Sequence, residues 1–233
     1  MSNNHSDKDN SGLVVGIDTS SPSASFAIVK GEQTLAVLEG DASIPHSKSL
    51  FGHISDLLNL AGIRLTDVQA FAVATGPGSF TGLRVGLAGV KGLSHSLGKP
   101  AIGINSIDAL ALTVKEQGEI LVLIEAGRKE VYAGIRRVIE DGIIEVDSDR
   151  VCTPDEVLKN FGPFLTDNTV MVSKHLSELA MKFLSTKINV KSGVITTAEA
   201  IAIRAAKIWQ SQSEYPLRPH YIRASDAELN RKG

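Results

Sequence analysis

The sequence predicts an α/β protein of two lobes, each a mixed sheet with flanking helices. Three observations point there. The elements run meander, helix, strand, helix, and then a second meander begins. A turn rich in glycine at Gly76–Gly82 joins an apolar run to a glycine-studded helix. A length of 233 residues fits one large domain or two small ones.

Leu13–Ser20 reads as a buried strand that ends in turn formers. Ala24–Val29 and Thr34–Glu39 follow as strands, with Lys30-Gly31-Glu32 as the hairpin turn. Ser47–Ala61 is the first helix, because Leu50, Phe51, Ile54, Leu57, Leu58 and Ala61 recur at helical spacing and Gly62 stops it. Val68–Ala74 is a buried strand. Phe80–Leu97 is the second helix, capped by Ser79 or Thr81 and stopped by Gly98-Lys99-Pro100. Ala101–Ile104 is a short strand and Ser106–Lys115 a third helix.

The second meander uses Ile120–Glu125, Glu130–Val138 and Gly142–Val146, with Ala126–Lys129 as its first turn. Cys152 is expected to open a helix or loop. Pro154–Phe161 and His175–Ser185 read as helices with a strand, Thr169–Ser173, between them. The last helix, Thr197–Gln210, puts Ala198, Ile201, Ala202, Ala205, Ile208 and Trp209 on one side. The predicted divisions are a disordered tail at 1–11, an N-terminal lobe at 12–106, a C-terminal lobe at 107–225 and a tail at 226–233. The halves share no visible sequence identity, so duplication rests on element order.

Composition narrows the function classes. Apolar residues make up 42% and charged residues 21%, ordinary for a soluble globular chain. The formal charge is −2 and there is no long basic run, which argues against autonomous tight nucleic-acid binding but leaves a local patch open. The single cysteine, Cys152, permits no intrachain disulfide and suits a reducing compartment. No apolar run approaches membrane-spanning length, and the polar Met1–Ser11 segment lacks a signal-peptide core. A cytoplasmic location is expected.

Several motifs together carry a resemblance. They are Gly16-Ile17-Asp18-Thr19-Ser20 with Ala24–Ile28, Gly76-Pro77-Gly78-Ser79-Phe80-Thr81-Gly82-Leu83-Arg84, and Gly98-Lys99-Pro100-Ala101-Ile102. Ile124–Tyr132 and Tyr221-Ile222-Arg223 agree with it. Over residues 13–225 the chain resembles the bacterial TsaB (YeaZ) family, of actin-like, or sugar-kinase-like, fold. The resemblance implies a non-catalytic subunit of the machinery that makes threonylcarbamoyladenosine beside the tRNA anticodon. It implies pairing with TsaD, a homologous catalytic subunit, joined by TsaE, a small ATPase, while a third enzyme supplies threonylcarbamoyl adenylate. It also implies a homodimer when the chain is alone, and tRNA as substrate of the complex. No cofactor is implied for this chain by itself; ATP or ADP at the boundary with the catalytic subunit stays open.

The residues can be asked whether an active site survives. The catalytic paralogue has two histidines four residues apart after the Pro-Ala-Ile strand, a spacing that suits a metal. Ser106 and Leu110 stand there instead, and none of the six histidines shows ligand spacing. Actin-like kinases hold phosphates between two hairpins. The first here, Asp18-Thr19-Ser20-Ser21, is compatible, but the second, Ala126-Gly127-Arg128-Lys129-Glu130, is bulky and charged. Candidate nucleotide contacts are Asp18, Thr19 and Arg84. Asp18 reads first as a turn cap and the Gly76–Gly82 segment as a tight turn that lets the next helix pack close, while Arg84 reads equally as an anion contact or a solvated side chain.

Glycine costs roughly 1 kcal/mol in a helix interior. Gly82, Gly86, Gly89 and Gly92 therefore imply close backbone approach, to the sheet, to a partner or to both. The candidate partner interface is Leu50, Phe51, Ile54, Leu57, Leu58, Gly82, Gly86, Gly89, Val90 and Leu93. Core burial is the default reading for the apolar face of the first helix, which is broader than a narrow stripe, so some of its side chains are expected in a helix–helix contact. Arg218, Arg223, Arg231 and Lys232 make the tail mildly basic, and a solvated tail is the reading preferred over an RNA contact. The rival functions are a small-molecule kinase and a nucleotide-binding regulator of the same fold.

Overall fold

A computed structural model describes residues 12–140, 142–174, 188–209 and 217–223. The first sheet has the order β3-β2-β1-β4-β5, from β1 (Leu13–Asp18), β2 (Ser25–Lys30), β3 (Gln33–Glu39), β4 (Ala70–Gly76) and β5 (Ala101–Asn105). β1, β2 and β3 are antiparallel, and β4 and β5 run parallel to β1. The second sheet has the order β10-β9-β6-β7-β8, from β6 (Gly118–Gly127), β7 (Glu130–Ile139), β8 (Gly142–Cys152), β9 (Val170–Lys174) and β10 (Asn189–Val190). Here too a meander is followed by two parallel strands. The sheets thus repeat one topology, that of a two-lobed actin-like fold.

Hydrophobic patterning decides which helices cover which face. Helices α1 (His46–Ala61) and α2 (Phe80–Leu97) close one side of the first sheet over Val15, Ile17, Phe26, Ile28, Phe71 and Val73. The alternate side chains, Val14, Val29, Ala70, Ala72 and Ala74, face the opposite way. Two periods of alternation thus feed two cores.

That opposite face is covered from far along the chain. Helix α5 (Thr197–Ile208) lays Ile201, Ala202 and Ala205 on it. A Cβ on Gly16 would stand 2.3 Å from the Ala198 carbonyl oxygen, so only glycine lets α5 lie this close. Helix α3 (Ser106–Leu112) serves both lobes, with Ala109 in the first core and Ile107 and Leu110 against the second sheet. Helix α4 (Pro154–Phe161) covers the outer face of the second sheet with Val157 and Phe161.

The sequence expectations differ in several places, the two-residue β10 among them. α3 stops at Leu112 rather than Lys115, and Thr113 turns back to donate its hydroxyl to the Leu110 carbonyl. β8 runs on to Cys152, which is a buried strand end rather than the start of a helix or loop. The 107–225 span contains α5, which packs on the first sheet. The helix expected at His175–Ser185 lies outside the described residues, as do the terminal tails. Among the described residues no helix is long and apolar enough to cross a membrane.

Candidate functional site

β1 delivers Asp18 to the bottom of the cleft between the sheets, where it is fully buried. One oxygen accepts the Ser20 amide at 2.8 Å, the local turn cap that an aspartate at a strand end favours. The other oxygen meets Lys174 Nζ at 2.5 Å, and Lys174 also reaches Thr197 Oγ1 at 3.3 Å. Lys174 closes β9 in the other sheet. Burial pushes the Asp18 carboxyl up, but the Lys174 ammonium and the Ser20 contacts outweigh it and hold the carboxyl below the ordinary aspartate value. A divalent ion at this carboxylate would have to displace a cation that the chain itself supplies.

The glycine turn is spent on packing. The Ser79 amide donates to the Ser20 carbonyl at 2.7 Å, and Ser79 Oγ accepts from the Gly82 amide at 3.3 Å, the expected helix cap. Thr19 Oγ1 donates to the Gly82 carbonyl at 2.8 Å. A Cβ on Gly82 would stand 1.9 Å from the Thr19 carbonyl oxygen, and one on Gly86 2.3 Å from Thr19 Oγ1. The α2 glycines therefore seat the helix start on the end of β1. Of the three candidate nucleotide contacts, Asp18 and Thr19 are buried and only Arg84 is exposed. Its guanidinium lies 3.9 Å from the Phe80 ring centroid, and its Nε donates to the Tyr221 hydroxyl at 3.3 Å.

The β6–β7 hairpin forms the opposite lip. Pairing of Gly127 with Glu130 leaves Arg128 and Lys129 as the two turn residues, with φ of 54° and 63°. Two positive φ values in a two-residue loop suit Asn-Gly. Long side chains there cost roughly 1–2 kcal/mol each. Both residues are exposed.

The tail ties the two lips together. The His220 amide donates to the Thr75 carbonyl at 2.7 Å, and the Tyr221 ring lies 4.8 Å from that of Phe80. Arg223 donates to the Ala126 carbonyl at 3.1 Å and forms an ion pair with Glu130. Arg223 is thus a mostly buried clasp, not the solvated side chain expected of the tail; Arg218 is exposed, and Arg231 and Lys232 lie outside the described residues. The clasp borders a cavity of about 460 Å³ lined by Ser20, Ser21, Gly78, Tyr132 and Lys174 among others.

A second ionic cluster ties the lobes where α3 begins. Arg136, fully buried on β7, meets Asp108 at 2.5 Å and Asp149 at 2.8 Å. The closest Asp149 contact lacks hydrogen-bond alignment, but Asp149 Oδ2 accepts from Arg136 Nη2 at 2.9 Å and from Asn105 Nδ2 at 3.1 Å. Sequence reading singled out neither this cluster nor Lys174. A charged residue within an apolar strand pattern was the available signal at Arg136; at Lys174 there was none. Ser106 and Leu110, at the positions where the resemblance places histidines in the paralogue, are buried core residues. Burial pushes the Cys152 thiol up, away from reactivity.

The candidate partner face divides. Leu50, Ile54, Leu57, Leu58 and Val90 are buried in the chain's own core. Gly89 receives Leu50 Cδ2, which would stand 2.3 Å from a Cβ. With Gly82 and Gly86 seated on Thr19, these eight positions serve internal packing. Leu93 is half-buried, and Phe51, 58% exposed, is the large apolar side chain left outside.

The family model described as TsaD, tRNA N6-adenosine threonylcarbamoyltransferase, matches residues 37–227, and the chain belongs to that family. An uncharacterized protein of Mycobacterium tuberculosis is 35% identical over 122 residues, 51% of this chain and 56% of that protein. The chain thus spans little more than half the length of such relatives. The Bacillus subtilis tRNA threonylcarbamoyladenosine biosynthesis protein TsaB is 27% identical over 92% of this chain and 96% of its own length. A solved structure of YeaZ from Pseudomonas aeruginosa superimposes with a TM-score of 0.74 at 22% identity, covering 90% of this chain and 99% of that one.

Proposed function

We propose that this member of the threonylcarbamoyltransferase family works in the making of threonylcarbamoyladenosine on tRNA as a non-catalytic subunit. It pairs through its N-terminal lobe with a TsaD-like catalytic subunit, and a TsaE-like ATPase joins through the complex. The observation that carries this reading is the buried Asp18–Lys174 pair. Asp18 is the carboxylate at the strand end where a kinase of this fold would need one facing solvent, phosphate or metal. Here it faces an ammonium and is sealed from the cleft. Phosphoryl transfer rests on positioning and charge stabilisation at the phosphates. Neither is available from a carboxylate already neutralised inside the protein.

The partner surface in this reading is what α1 and α2 leave outside. Phe51 stays exposed, its Cζ 3.8 Å from where a Cβ on Gly89 would stand, and Gly52, Ala88 and Gly92 on the same two helices are exposed too. A large ring among small residues suits close docking of a second helical pair, whether another copy or the paralogous subunit.

Light scattering after size exclusion tests the reading. A homodimer alone should give way to a 1:1 complex on mixing with the TsaD-like subunit. Masses unchanged on mixing would sink the partner assignment. ATP turnover by the purified chain, abolished by Asp18→Ala, would restore the kinase reading.

A further inference from the structure

We propose that the mouth of the interlobe cleft is an RNA contact surface, with Arg128 and Lys129 meeting backbone phosphates and Tyr221 stacking on a base. This rests on the reading that the complex handles tRNA.

The β6–β7 turn supplies the first observation. Two long cations hold positive φ values where asparagine and glycine would fit without strain. Turn-making therefore gives no reason for these residues, and strain held in an ordered loop points to function. The loop is anchored at its base, where Arg223 binds the Ala126 carbonyl and the Glu130 carboxylate. That ion pair also answers the charge of Glu130, leaving the exposed Glu125 as the acid on this arm.

The facing lip supplies the second observation. Tyr221 is 38% exposed, its ring rests near Phe80, and Arg84 lies over the Phe80 ring. A stack of aromatic and guanidinium groups beside separate cations matches the chemistry of an unpaired RNA loop, in which bases stack on rings while phosphates meet Lys and Arg. An acidic peptide would use the cations but leave the ring platform without a role. The patch is local, since the chain's net charge is −2.

The test uses the chain in complex with its TsaD-like subunit and an unmodified tRNA transcript, read by fluorescence anisotropy across a salt series. The Arg128→Gly/Lys129→Gly variant should fold with an unchanged or higher Tm, because glycine suits the turn. It should bind about tenfold more weakly at low salt, with a salt slope shallower by about 1.5 to 2. Tyr221→Ala should lose about tenfold, and Tyr221→Phe should bind like the parent. Equal affinity and equal slope in the glycine variant, with the parent complex binding well, would overturn this proposal alone. A parent complex that does not bind the transcript would overturn it together with the functional reading beneath it.

Discussion

The two turns that face each other across the cleft occupy equivalent places in the repeated topology and are built on opposite terms. The first, after β1, is small, rich in hydroxyls and buried. Asp18, Thr19, Ser20 and Ser21 are all buried, and His46 at the start of α1 donates to the Ser21 carbonyl at 2.8 Å. The second, after β6, ends in two exposed cations on strained backbone. A pair of phosphate loops would need both turns open and small. One has been sealed by α2 and Lys174, and the other carries bulk and positive charge. The lesson is that a duplicated fold can keep its frame while its two halves part company at the turns.

Removing the seal should have the largest effect. Lys174→Met leaves the Asp18 carboxylate buried without its cation and should cost about 3–5 kcal/mol in denaturant unfolding. Adding Asp18→Asn should recover much of that loss. An equal loss in the double variant would mean that the lysine acts through packing alone. The same pair sets an acid limb. Asp18 has a lower pKa folded than unfolded, so the unfolded chain takes up the proton first as pH falls. Its contribution should be whole above about pH 4 and fade below. Tm against pH should therefore be flatter in this range for the double variant than for the parent.

Gly82→Ala probes the packing that closes the first turn. Its Cβ would meet backbone, the Thr19 carbonyl, which cannot swing away, so a loss of about 1–3 kcal/mol is expected. Gly92→Ala, on the same helix but with nothing within 4 Å, should gain roughly 0.5–1 kcal/mol. Thermal unfolding of the two variants reads the difference. Equal effects would mean that α2 is not pressed on β1. At the second turn, Lys129→Gly should stabilise by about 1 kcal/mol by relieving the left-handed backbone. A loss there would show that the lysine side chain holds the hairpin.

The elements were legible because their signals are local. Phe80–Leu97 and Pro154–Phe161 end where caps, glycine and proline said they would. The Ser79 cap and the close-packing role of Gly82 were legible too, since capping and glycine economy act within a few residues. The α1 face was legible as apolar and mainly internal, but not which side chains stay outside: Leu50 and Ile54 went to the chain's own sheet while Phe51 stayed out. Periodicity reports that a face is buried, not what buries it.

The sequence by itself determined the order of most of the described strands and helices, the Ser79 cap and the glycine turn, because each follows from backbone sterics and side-chain pattern over short spans. Only the tertiary structure decided that Lys174 answers Asp18 across 156 positions, that α5 returns to the first sheet, and that Arg223 clasps the second hairpin. These depend on which lobe faces which. A buried charge takes whatever counter-charge the fold brings within reach, and nothing in the neighbouring residues names it.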